Sequence, residues 1–138
     1  LASALQRKGV PDDAAAAVLT RFAEVGLIDD KALADGYALA QHRERGLAGR
    51  AVAMKLRRRG IDDGLVQSAV AQIDDDHERS AAEDLVARKL RSLHGVSPDA
   101  QARRLVGLLA RRGYSSGLAH DVVRVALCSA ALDGASDV

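Results

Sequence analysis

Apolar residues return every three or four positions through most of the chain, and glycine, proline, serine or aspartate interrupts the runs, so the pattern predicts helices joined by short turns. A helix over 2–8 ends at Gly9. Pro11-Asp12-Asp13 opens the next, with Ala15, Val18, Leu19 and Phe22 on one face and a stop near Gly26. Asp29 or Asp30 is expected to cap a helix running to Arg45 with Leu33, Tyr37 and Ala40 inward, closed by Gly46. A helix over 48–59 buries Val52 and Leu56, and a short one opened by Asp62 or Asp63 carries Leu65, Val66, Ala69 and Val70. Asp74-Asp75-Asp76 opens a long helix through Ala82, Leu85, Val86 and Leu90. Ser97-Pro98, an N-cap followed by proline at the first helical position, starts the helix of Ala102, Leu105 and Leu109. Ser115 or Ser116 opens the last, with Leu118, Val122, Val123, Ala126 and Leu127 inward. β-branched alternation is absent, so no strand is expected.

The punctuation itself repeats. Leu5-Gln6-Arg7-Lys8-Gly9-Val10, Leu56-Arg57-Arg58-Arg59-Gly60-Ile61 and Leu109-Ala110-Arg111-Arg112-Gly113-Tyr114 place equivalent glycines 51 and 53 residues apart. Beyond each glycine, Leu19, Val70 and Val123 keep matching offsets. A helix-turn-helix unit of about 50 residues is longer than a tetratricopeptide or ankyrin period. Grouping the helices predicts an all-α chain: a partial three-helix unit at 1–27, complete units at 28–74 and 75–132, and a frayed tail at 133–138. Units this small are expected to stack into an elongated, curved array. The chain opens at Leu1 without methionine in what reads as helix, so a longer natural N-terminus is expected.

Composition adds little to the fold class but constrains chemistry. With 138 residues, 48% hydrophobic and 28% charged, the balance is that of an ordinary globular domain. No apolar run reaches the ~20 residues of a bilayer span and no signal pattern opens the chain, so a cytoplasmic protein without membrane contact is expected. The single Cys128 cannot form an internal disulfide and reads as a small buried hydrophobe. Net charge is only +1, yet it is blocked: −2 over 1–42, +6 over 43–60, −7 over 61–87, +6 over 88–112 and −2 over 113–138. Such blocks either complement helix dipoles or build basic stripes for a polyanion.

No catalytic constellation emerges. Asp74, Asp75, Asp76, His77 and Glu78 have metal-ligand side chains but fan out around a helix start, where capping explains them. His42, His77, His94 and His120 are scattered, with no serine or cysteine signature, and read as surface or helix-end residues. Neither a Walker loop nor a G-x-G-x-x-G fingerprint is present, and Phe22, Tyr37 and Tyr114 are too few for a base-stacking platform. No enzyme, cofactor or metal is expected.

The run Gly26-Leu27-Ile28-Asp29-Asp30, followed by Leu33-Ala34, Tyr37, Arg43, Gly46, Arg50 and Leu56-Arg57-Arg58-Arg59-Gly60-Ile61, resembles the RecX family of regulators of the RecA recombinase. Leu109 to Tyr114 extends the resemblance to the last unit. This chain has Leu33 where the family usually has phenylalanine, a conservative change for packing. The resemblance implies tandem three-helix repeats, the first incomplete here. It also implies a non-enzymatic, monomeric regulator that binds the RecA–DNA filament in its groove and suppresses strand exchange, ATP hydrolysis and coprotease activity. These are activities of DNA repair, homologous recombination and the SOS response. Single- or double-stranded DNA stays open as a further partner.

With Val52 and Leu56 inward, Arg50 and Arg57 share the outer face with Met54 between them and Arg58 beside them. The same wheel turns Arg103 and Arg111 outward, with Arg104 at the flank. Arg43 and Arg45, in the preceding helix's last turn, complete the candidate partner- or DNA-binding set. Arg7, Lys8, Arg59 and Arg112 sit where basic residues stabilise helix C-termini, and Arg59 and Arg112 lie nearer the core, where their stems can pack. Two alternatives remain open: a stand-alone helix-turn-helix DNA binder reading through helix 48–59, and an interaction module whose charges serve only dipoles and solubility.

Overall fold

In the computed structural model the backbone is described for residues 13–136 and the side chains for residues 29–133. Six helices fill this span: α1 Asp13–Arg45, α2 Gly49–Arg58, α3 Asp63–Val70, α4 Asp75–Arg91, α5 Pro98–Arg111 and α6 Ser116–Ser136. No strand occurs among the described residues. The expected helix over 2–8, and the inward face of Ala15, Val18, Leu19 and Phe22, lie outside the described residues. Helix α6 includes residues 133–136 of the expected tail.

Side-chain caps account for most of the helix starts. Asp62 accepts from the Gly64 N–H at 3.2 Å, Asp74 from His77 at 2.8 Å, Ser97 from Ala100 at 3.3 Å and Ser115 from Leu118 at 3.3 Å. Helices α1, α2, α4 and α5 are followed by Gly46, Gly60, Gly95 and Gly113, all in the left-handed region that disfavours a Cβ.

Every extensive helix–helix contact falls within one of two units, α1 to α3 and α4 to α6. The first core gathers Ala34, Ala38, Val52, Leu56, Val66 and Ala69. The second gathers Ala82, Val86, Leu105, Leu109, Val122 and Val123. Leu56, Leu105 and Leu109 are fully buried, each stabilising the fold by about 1.5–3 kcal/mol relative to exposure.

Four expectations are corrected. Helix α1 passes through Gly26 and through Asp29-Asp30 without a break. A lone glycine costs a helix only about 1 kcal/mol, and nothing after it forces the chain to turn. The inward stripe of α1 is Asp30, Ala34, Ala38 and His42, at intervals of one helical turn, which rotates Leu33 to 57% exposure. The small side chains of Ala34 and Ala38 let the helix sit close to its neighbours. His42 is buried rather than superficial, and its Nδ1–H donates to the Leu47 carbonyl at 2.8 Å, tying the end of α1 to the turn that follows. Cys128 is exposed, because the buried stripe of the last helix runs through Ala119, Val122 and Val123 and leaves Cys128 on the far side.

Turns, more than helix faces, join the two units. The Ala48 N–H donates to the Arg112 carbonyl at 2.9 Å. The Tyr114 hydroxyl donates to the Gly46 carbonyl at 2.7 Å, and the Arg112 guanidinium reaches the Arg45 carbonyl. A Cβ on Gly113 would stand 2.7 Å from the Ala51 Cβ, so glycine is what allows the turn after α5 to touch the first turn of α2. Ala48, sequentially in the first unit, belongs to the core of the second.

Candidate partner-binding surface

The joint determines how the basic residues are arranged. Because the turn after α5 abuts the start of α2, the second helices of the two units meet end to end, the last turn of α5 bearing Arg111 and the first turn of α2 bearing Arg50. Arg103 and Arg104 stand nearer the start of α5, and Arg57 and Arg58 close α2. All six are exposed. Met54, 45% exposed, lies between Arg50 and Arg57 and gives that face an apolar element.

Their engagements differ. Arg57 Nε donates to Asp63 at 3.0 Å, an exposed pair worth at most about 1 kcal/mol and easily exchanged for a partner's anion. Arg111 lies back along its own helix, with Nη1 3.3 Å from where a Gly107 Cβ would be. Arg50, Arg58, Arg103 and Arg104 have no ion pair within 4.0 Å among the described residues. Arg43 and Arg45 are exposed in the last turn of α1, and the Arg45 backbone carbonyl serves the joint.

Arg59 and Arg112 behave differently from their neighbours. Arg59 stacks over the Tyr37 ring, 4.4 Å from its centroid, while half-buried Arg112 spans the joint. Both therefore make contacts within the fold, but only Arg112 is drawn inward as the helical wheel implies, while Arg59 stays exposed above the Tyr37 ring.

Beneath the row, the joint is polar and partly buried. The N-cap position of α2 is Ala48, which offers no side-chain acceptor. The Glu78 carboxylate of α4 instead faces the first turn of α2, its Oε1 3.4 Å from where a Gly49 Cβ would be. Burial pushes the Glu78 carboxyl above its ordinary range, against the lowering effect of the Gly49 N–H. Burial beside the Glu78 charge pushes the Tyr114 phenol up to about 12. Within the second unit, Arg79 of α4 and Arg124 of α6 both pair with Asp121 and hold its carboxyl below the usual range. No group of three or more His, Cys, Asp or Glu side chains suited to a metal occurs among the described residues.

Sequence reasoning missed Arg88, which lines the same cleft as Arg43 from the other unit. Its only advance signal is membership in the basic block over 88–112. No helix among the described residues is long and apolar enough to cross a membrane.

Fold and surface together define a tandem three-helix-repeat protein whose second helices, joined end to end, present arginines to solvent. Residues 29–70 match the family model of the RecX second three-helix domain, and residues 76–123 that of the third. The chain is 50% identical over 127 residues to the regulatory protein RecX of Streptomyces coelicolor, covering 92% of this chain and 68% of that protein. It is 45% identical over 124 residues to that of Thermobifida fusca, covering 90% and 67%. The crystal structure of RecX from Lactobacillus salivarius matches with a TM-score of 0.71 over 89% of this chain and 80% of that one, at 16% identity, a likeness of fold. The chain belongs to the RecX family of regulatory proteins.

Proposed function

We propose that this protein is a negative modulator of a RecA recombinase, acting in DNA repair and recombination within the cytoplasm as a monomer without catalytic activity. It binds along the groove of the RecA–DNA filament and inhibits strand exchange, ATP hydrolysis and coprotease activity. The carrying observation is 50% identity over 92% of the chain to a RecX regulatory protein. The end-to-end second helices support the reading, since repeated units bearing equivalent cations suit a target that is itself periodic. In this reading Arg50, Arg57, Arg58, Arg103, Arg104 and Arg111 form the contact row, with Arg43 and Arg45 beside it.

The test is the single-stranded-DNA-dependent ATPase of the cognate recombinase, titrated with this protein. Substoichiometric inhibition is expected, and Arg50→Glu with Arg57→Glu should weaken it at least about tenfold, or about 1.4 kcal/mol, while circular dichroism stays unchanged. Both side chains are exposed, so the fold survives their reversal. Full inhibition by the double variant would remove this face from the interface. Absence of inhibition by the full-length protein would overturn the function itself.

A further inference from the structure

A cleft of about 280 Å³ lies between the two units, where the end of α1 and the turn after α3 meet α4 from His77 to Arg88. Arg43 enters it from one unit and Arg88 from the other, with His77, Gln72 and Ser80 around them and Asp84 as its one lining carboxylate. Neither arginine has a carboxylate within 4.0 Å among the described residues. Arg88 Nε reaches only the Asp84 backbone carbonyl, at 3.4 Å, while His77 Nδ1 is held by Asp74 at 2.6 Å. Two guanidinium groups from different units line one cleft against a single carboxylate, Asp84, that pairs with neither, so the lining carries net positive charge.

The charge continues beyond the cleft. Arg88 also lines a shallower hollow beside it, shared with Arg91, Ala87 and Asp84. Arg88 and Arg91 are three positions apart, about 4.5 Å along the helix axis, on neighbouring positions of one surface. A single acidic side chain would need only one of these forks. A cationic track running from Arg43 through Arg88 to Arg91 suits an anion that repeats along a line, and guanidinium groups match phosphate geometry.

We propose that this inter-unit cleft binds the phosphodiester backbone of a DNA strand, with Arg43 and Arg88 clasping one phosphate region and Arg91 extending the contact. The site shares Arg43 with the contact set proposed above, while Arg88 and Arg91 lie outside that set. It is argued from the cleft and tested without recombinase, whereas the filament reading is tested through Arg50 and Arg57, so the two fail separately.

The experiment follows the anisotropy of a fluorescein-labelled oligothymidylate titrated with the whole protein over a series of salt concentrations. Arg43→Ala with Arg88→Ala should weaken binding at least about tenfold at low salt. It should also flatten the slope of log K against log salt by about 1.4, two phosphates at about 0.7 each. Asp84→Asn should tighten binding, and Arg43→Lys with Arg88→Lys should keep the slope. Lys31→Ala with Arg124→Ala removes equal charge from exposed pairs outside the cleft and should leave the slope as it was. Equal loss in that control would mean diffuse attraction and overturn the site, as would an unchanged slope in the cleft variant. Binding of inorganic phosphate at Arg88, seen by NMR, with DNA binding indifferent to both arginines, would overturn the polynucleotide assignment.

Discussion

The turns after α2 and α5 start from almost the same sequence and take the same local form. Gly60 and Gly113 sit at φ +81° and +93°. Their N–H groups donate to Arg57 and Ala110, and the next residues, Ile61 and Tyr114, donate back to Leu56 and Leu109. Both are helix ends closed by a left-handed glycine. Their surroundings then diverge. A Cβ on Gly60 would meet nothing within 4 Å, whereas one on Gly113 would collide with Ala51. Arg59 folds over Tyr37 in its own unit, while Arg112 and Tyr114 reach into the unit before them. One motif thus terminates a helix in both places and joins two units in only one.

The starts of the same two helices differ in a complementary way. Helix α5 brings its own cap, Ser97, and proline at its first turn. Helix α2 begins at Ala48, whose N–H bonds to Arg112, beneath the carboxylate of Glu78. Its start is completed by the neighbouring unit. Separating the units would therefore damage α2 more than α5, which makes the joint part of the first unit's own stability.

The comparison breaks most visibly at the glycines. Gly60→Ala incurs only the left-handed backbone penalty, about 1–2 kcal/mol. Gly113→Ala adds an overpacking cost of about 1–3 kcal/mol against Ala51, so it should unfold at clearly lower urea in equilibrium denaturation. Equal midpoints for the two variants would mean that the joint is not closely packed.

A smaller effect is expected at Tyr114. Tyr114→Phe removes a buried hydrogen bond and should cost about 0.5–1.5 kcal/mol. The folded phenol titrates at about 12, above its ordinary value near 10. Its stabilising contribution is therefore complete below about pH 10 and is lost as pH rises toward 12. Wild type should lose stability over that window more steeply than the Phe variant, as read by urea midpoints at stepped alkaline pH.

Smallest is Glu78→Gln, which keeps an oxygen over the start of α2 but removes the charge. Because burial raises the folded carboxyl above its unfolded value, Glu78 contributes most below the unfolded value near 4.5, and that contribution falls as pH climbs through the folded one. The variant should stay within about 1 kcal/mol of wild type at neutral pH and show a flatter stability profile through the mildly acidic range, measured by thermal melts. A profile identical to that of wild type would show that Glu78 is solvated and the cap over α2 is open.

Much of the secondary structure was legible because its signals are local. Asp62, Asp74 and Ser97 accept from nearby backbone N–H groups, and helix endings follow from glycine's access to positive φ. The burial of Val52, Leu56, Leu105 and Leu109 follows from their spacing. The differences lie where a local signal is weak or where neighbouring structure overrides it. Gly26 and Asp29-Asp30 look like a stop and a cap, yet α1 runs on, and its buried stripe passes through two alanines in place of Leu33. Burial of polar His42 depends on the Leu47 carbonyl of the turn that folds back over it.

Sequence by itself determined that this chain is helical, repeats in three-helix units and carries arginines on the outer faces of its second helices. Periodicity, caps and glycines act over a few residues, so they can be read without knowing the fold. Only the tertiary structure decided that Gly113, and not Gly60, meets a neighbouring unit, that Glu78 covers a helix it does not belong to, and that Arg43 and Arg88 share a cleft. Those relations join residues 29 to 62 positions apart, and their energies depend on a packing geometry that local pattern does not encode.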